Sequence, residues 1–140
     1  MLPAVGKAVR LLLCKACEYA TQQQNGRNTM VGMFENIVVP HLPIDHPPFF
    51  LCIQVEFDPA EADDPLDLMV RLIDEDGRTV LDFNANGMVP RDASGGSTRL
   101  FVQFFVPSIR FERPGFYRFD VMANGHPIGE ERLPVLVPAE

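Results

Sequence analysis

Basic residues are scarce in this chain: 12 lysines and arginines stand against 19 aspartates and glutamates, a net charge of −7 over 140 residues. Nucleic acids and anionic membranes are polyanions, so neither is an expected partner of so acidic a chain. Long apolar runs are lacking too. No segment approaches the ~20 apolar residues of a membrane span, and the run Leu11 to Cys14 is shorter than the ~7–15-residue apolar core of a secretory leader. Cysteine occurs three times, an odd number without framework spacing. That fits a reducing compartment, and the expected location is cytoplasmic. Catalytic signatures are missing as well. No G-x-S-x-G surrounds Ser94 or Ser97, and no Lys-Ser/Thr follows Gly95-Gly96. No glutamate stands where a calcium loop begun at Asp74 would need its bidentate ligand, so Asp74-Glu75-Asp76-Gly77 reads as a hairpin turn.

What the chain does have is alternation. Hydrophobic residues make up 46% of it, enough for a core without a metal or disulfide staple, and the length fits one domain over residues 1–140. The clearest element is the C-terminal stretch from Pro114 to Val137. Tyr117, Phe119 and Val121 alternate with Arg118 and Asp120, then Asn124-Gly125 turns the chain, and Leu133, Val135 and Val137 alternate with polar neighbours. Period-two patterning on both sides of Asn-Gly predicts a β-hairpin. Gly115-x-Tyr117 at its entry is the spacing of a tyrosine corner, in which the hydroxyl bonds back to upstream backbone in a Greek-key sandwich.

Other segments answer it. Residues 8–20 are rich enough in Leu, Ala, Lys and Glu to make a helix, but the favoured reading is a strand buried on both faces, because a hairpin turn follows. Val9, Leu11 and Leu13 lie on one side of it and Leu12, Cys14 and Ala16 on the other. Asn25-Gly26 turns it into a partner over residues 28–39, where Gly32 marks a bulge or a close approach. The proline-rich stretch 40–48 is expected to cross between sheets without ladder bonds. Phe49, Leu51, Ile53, Val55 and Phe57 form one apolar strand face. Leu66, Leu68, Val70 and Leu72 repeat the pattern, and a strand over about 78–84 follows. Residues 85–97 form the longest irregular stretch. Residues 98–106 are apolar on both faces. The prediction is an all-β, antiparallel Greek-key, immunoglobulin-like sandwich of about eight strands.

The order of small motifs resembles a family of small bacterial proteins known as a domain of unknown function. The motifs are Cys17 and Ala20, Asn25-Gly26-Arg27, Val31-Gly32-x-Phe34, Pro40, His46 and Ile73-Asp74-x-Asp76-Gly77. Pro114-Gly115-x-Tyr117-x-Phe119 and Asn124-Gly125-x-x-Ile128-Gly129-Glu130 complete the order. The resemblance spans nearly the whole chain. It implies the β fold and a bacterial cytosolic setting, and it brings no activity with it.

Four groups of side chains could carry chemistry. Cys14-Lys15-Ala16-Cys17 has C-x-x-C spacing, but on a strand positions i and i+3 point to opposite faces, so two separately buried thiols are expected. His41, Asp45 and His46 lack the spacing that brings two imidazoles together, and a hydrolytic or metal-dependent enzyme built on these loop histidines is the weakest reading. Asp58, Glu61, Asp63, Asp64 and Asp67 crowd one loop. Strand parity puts that loop at the same end as the 85–97 loop and the 124–125 turn, with Asp74 and Asp76 at the other, and only Asp92 able to join. No metal, cofactor or catalytic residue is therefore expected. The fourth group is Phe101, Gln103 and Phe105. With Leu100, Val102, Phe104 and Val106 filling the core face, these three point outward, and two phenylalanines about 13 Å apart anchor an apolar patch. The residue Met1 to Gly6 segment, the 85–97 loop or a second copy could cover it. The favoured reading is a non-enzymatic, self-associating interaction module whose partner is a protein, with a homodimer as one form of that partnership. The alternative is a small-ligand or carbohydrate binder at the 85–97 end.

Overall fold

In the computed structural model, which describes residues 9–139, the chain forms eleven strands and no α-helix among the described residues. Eight strands are long: β1 (Val9–Gln22), β2 (Asn28–Phe34), β5 (Phe49–Phe57), β6 (Pro65–Ile73), β7 (Thr79–Met88), β8 (Thr98–Val106), β10 (Gly115–Ala123) and β11 (His126–Leu136). Three are short: β3 (Ile37–Val38), β4 (Ile44–His46) and β9 (Ile109–Phe111). The long ones are the eight expected from alternation. A four-stranded sheet, ordered β2-β1-β5-β8, packs on a five-stranded sheet, ordered β3-β11-β10-β6-β7, with β4 and β9 paired beside them.

The core lies between the two sheets because alternation delivers one face of each strand to it. Phe49, Leu51, Ile53, Val55 and Phe57 of β5 meet Leu68, Val70 and Leu72 of β6 and Phe119 and Val121 of β10, all nearly or wholly buried. Tyr117 is buried, and its hydroxyl donates to the Arg113 carbonyl at 2.8 Å, which is the predicted corner. The Asn124-Gly125 turn has φ of +50° and +81°, the left-handed pair a tight hairpin requires. Strand parity holds at both ends. The Asp63 amide donates to the Val89 carbonyl, the Val89 amide to the Asp64 carbonyl and the Asn124 amide to the Asp67 carbonyl, while the Phe116 amide donates to Glu75 at the opposite end, at 2.8 Å. Gly115 is required there: at φ +148° a side chain would lie 2.8 Å from the Glu75 carboxyl.

Five expectations need correction. A bulge between Leu11 and Leu13 reverses the parity of β1, so Val9, Leu11, Cys14 and Ala16 all oppose core residues of β5, and Leu13 opposes Gln54. The partner predicted over 28–39 stops at Phe34; the chain then leaves the four-stranded sheet, and β3 pairs parallel to β11 in the other. The 40–48 crossing does pass between sheets, yet Ile44–His46 pairs with Ile109–Phe111, since the residues between the prolines keep their donors. β7 continues to Met88 because Ala85 to Met88 pair with Pro65 to Leu68, which shortens the irregular stretch to 89–97. Val137 lies beyond the end of β11 and is 40% exposed.

Candidate interaction surface

The outer face of the four-stranded sheet is read off the register. Across β5 and β8, Phe50 opposes Phe105, Cys52 opposes Gln103, Gln54 opposes Phe101, and Glu56 opposes Arg99. All eight point away from the core residues Leu51, Ile53 and Val55, as period-two geometry demands. At one end the row is ionic: Glu56 accepts from Arg99 at 3.1 Å and pairs with Arg10 of β1. At the other end it is aromatic. Phe105 meets Phe50 edge to face at 5.7 Å between centroids, and Phe50 meets Tyr19 of β1 at 5.9 Å. Three rings thus cross three strands in contact.

Beneath these rings lies a second, smaller core that alternation alone did not reveal. Cys17, Ala20 and Cys52 are buried there, packed with Met30, Phe50 and Phe101. Cys52 stood in the sequence among mostly polar alternates, and only the neighbouring strands supply its cover. Phe101 and Phe105 both face outward, but unequally. Phe105 is 58% exposed, while Phe101 is half-buried against the Cys17–Cys52 pair, whose sulfurs lie 3.8 Å apart. Gln103 sits between them, and its buried Nε2 has no hydrogen-bond partner. Tyr19, Val31 and Met33 are more than half exposed on the adjoining strands. Among the described residues this sheet face therefore carries exposed apolar groups on β1, β2 and β8, with the half-buried Phe50 of β5 between them.

The other candidates are dispersed or self-satisfied. Cys14 faces the main core and Cys17 the outer one, as strand geometry requires. Burial pushes the thiols of Cys14 and Cys52 up to about 12, far from a reactive thiolate. His41 is exposed, whereas His46 is wedged among the rings of Phe34, Phe49 and Phe111. Burial lowers its pKa, favouring the neutral ring. It lines an open cleft of about 480 Å³ together with Glu18, Asn36 and Pro47. In the acidic loop Asp63 is paired with Arg91. Asp92 accepts from the Ser94 hydroxyl and, at 3.1 Å, from the Ser94 amide, which together hold its carboxyl below the usual range and occupy it within its own turn. Asp74 accepts from the amides of Asp76 and Arg78, both at 2.9 Å, as a hairpin turn would. Among the described residues no three His, Cys, Asp or Glu side chains converge as a metal-ligand group, and no helix is long and apolar enough to cross a membrane.

These features define an immunoglobulin-like β-sandwich with an apolar outer sheet face. Its residues 12–136 match a family described as a family of unknown function (DUF6941), and the chain belongs to that family. No curated protein matches it. Among solved structures it is similar to an alkylpurine DNA glycosylase of Pseudomonas fluorescens bound to DNA containing an abasic site analog. The two are 12% identical over 92% of this chain and 30% of that one, with a TM-score of 0.53. A β-glucuronidase from glycoside hydrolase family 2 matches 73% of this chain and 12% of its own at 14% identity and TM-score 0.43. An immunoglobulin-like protein from Pseudomonas aeruginosa matches 91% of this chain and 96% of its own at 15% identity and TM-score 0.38. The chain spans less than a third of the glycosylase, and at such identities the likeness is one of fold.

Proposed function

We propose that this chain is a non-enzymatic protein-interaction module of the bacterial cytoplasm, and that it binds protein, a second copy of itself included, through the outer face of the four-stranded sheet. The observation that carries the reading is the row Phe105–Phe50–Tyr19, three rings in contact with two of them more than half exposed. Covering a phenylalanine fully is worth about 2 kcal/mol, so a partner that buries this row gains several such contributions at once. The net charge of −7 favours a protein partner over a nucleic acid or an anionic membrane. The end of the sandwich carrying the acidic loop offers less to a small ligand or carbohydrate, because β7 takes up residues 85–88 and Asp63, Asp92 and Ser94 are engaged with near neighbours.

Light scattering tests this. At micromolar concentration the native chain is expected at a mass near twice 15.7 kDa, and Phe105→Ser, with unchanged circular dichroism, near one chain. A single-chain mass for the native protein, or a two-chain mass that survives Phe105→Ser, overturns the reading.

A further inference from the structure

The geometry points to an edge contact that rests on the reading above and joins two copies beside that face: β8 pairs with β8 of a second copy, antiparallel about a two-fold axis at Gln103, joining the two four-stranded sheets into one of eight strands. Phe105 is then covered by Phe101 of the second copy, and the Phe50–Tyr19 part of the face is left open to a further partner. β8 is an edge strand, hydrogen-bonded only to β5. Among the described residues no other segment makes a backbone hydrogen bond to its free side. From Leu100 to Val106 it carries no charge, proline or glycine. These are the devices by which proteins blunt an exposed edge. The other long edges have them: β2 contains the left-handed Gly32, and β7 carries the exposed Asp82.

The sequence of β8 fixes the register. Phe101-Val102-Gln103-Phe104-Phe105 reads nearly the same from either end. An antiparallel two-fold centred on Gln103 sets Phe101 opposite Phe105 of the second copy on the outer face, and Val102 opposite Phe104 on the inner. It also sets the two Gln103 amides against each other, where Nε2 of one can donate to Oε1 of the other. Nε2 is buried without a partner in the single chain, so this bond forms when the amide turns toward the free edge. Centring on Val102 instead would put Gln103 against Phe101 and leave the amide unpaired. Any odd-numbered slip would oppose core-facing to outward residues. The Gln103 register also continues the aromatic row, since Phe105 already touches Phe50.

Directly opposed residues in an antiparallel pair lie about 4.5–5.5 Å apart at Cα, within disulfide range, whereas Phe101 and its own symmetry mate would lie about 13 Å apart. In a Cys17→Ala/Cys52→Ala background, which removes the thiols of the same chain that lie against these positions, Gln103→Cys under mild oxidation is expected to form a covalent two-chain species. The native protein and Phe101→Cys alone should not, and a mixture of Phe101→Cys with Phe105→Cys should give a mixed cross-linked pair, a test that leaves Gln103 intact. If Phe105→Ser dissociates the native dimer but neither Gln103→Cys nor the mixture cross-links, the sheet face remains the interface and the strand pairing is overturned. A native mass of one chain overturns both.

Discussion

Tyr117 and His46 show how single residues carry the fold's physical chemistry. The Tyr117 hydroxyl reaches the Arg113 carbonyl at 2.8 Å, and its pKa is raised by burial and by the nearby carboxylate of Asp74. Tyr117→Phe keeps the ring and loses one neutral hydrogen bond, so equilibrium urea unfolding should register a loss of about 0.5–1.5 kcal/mol. An unchanged midpoint would mean the corner contributes nothing. His46 titrates in the opposite sense to a histidine that gains an acidic partner. Its folded pKa is lowered from 6.5 by burial, so below that value the unfolded chain binds the extra proton first. Its contribution is therefore present above pH 6.5 and is lost as pH falls toward the folded pKa. Stability should rise between pH 5 and pH 7, and His46→Phe should remove that component of the slope. An identical slope in both proteins would place the titration elsewhere.

At the scale of elements, what the sequence disclosed and what it hid have distinct physical causes. β5, β6, β10 and the Asn124-Gly125 turn were legible because each obeys a local rule, alternation or left-handed turn chemistry. The face of β1 was not, because the bulge between Leu11 and Leu13 is set by pairing with β5, and one extra residue reverses every assignment before it. The jump of Ile37–Val38 to the other sheet depends on a partner a hundred residues away. Of the candidate surface, the outward direction of Phe101, Gln103 and Phe105 was legible. The smaller core under Phe101 was not, since Cys17 and Cys52 meet only across strands. Asn124 joins elements in the same non-local way. Its side chain accepts from the Asp67 amide at 2.7 Å and donates to the Pro65 carbonyl at 3.1 Å, tying the hairpin to β6. Asn124→Gly keeps the turn's backbone freedom but removes both bonds. It should destabilise by about 1–2 kcal/mol in urea unfolding, and a loss under about 0.5 kcal/mol would show the tie to be idle.

For the whole molecule, the two sheets use their surfaces differently. The inner faces make one core, while the outer face of the four-stranded sheet runs from an ionic end at Arg10, Glu56 and Arg99 to an aromatic end at Phe50, Phe105 and Tyr19. The account stands or falls on whether β8, the edge of that face, meets protein in solution. Amide hydrogen exchange, followed from nanomolar to high-micromolar chain concentration, measures this on the native sequence. We predict that peptides spanning Thr98–Val106 gain protection as concentration rises, while those spanning Thr79–Met88, the edge strand of the opposite sheet, do not. Exchange in Thr98–Val106 that is independent of concentration would contradict self-association through β8.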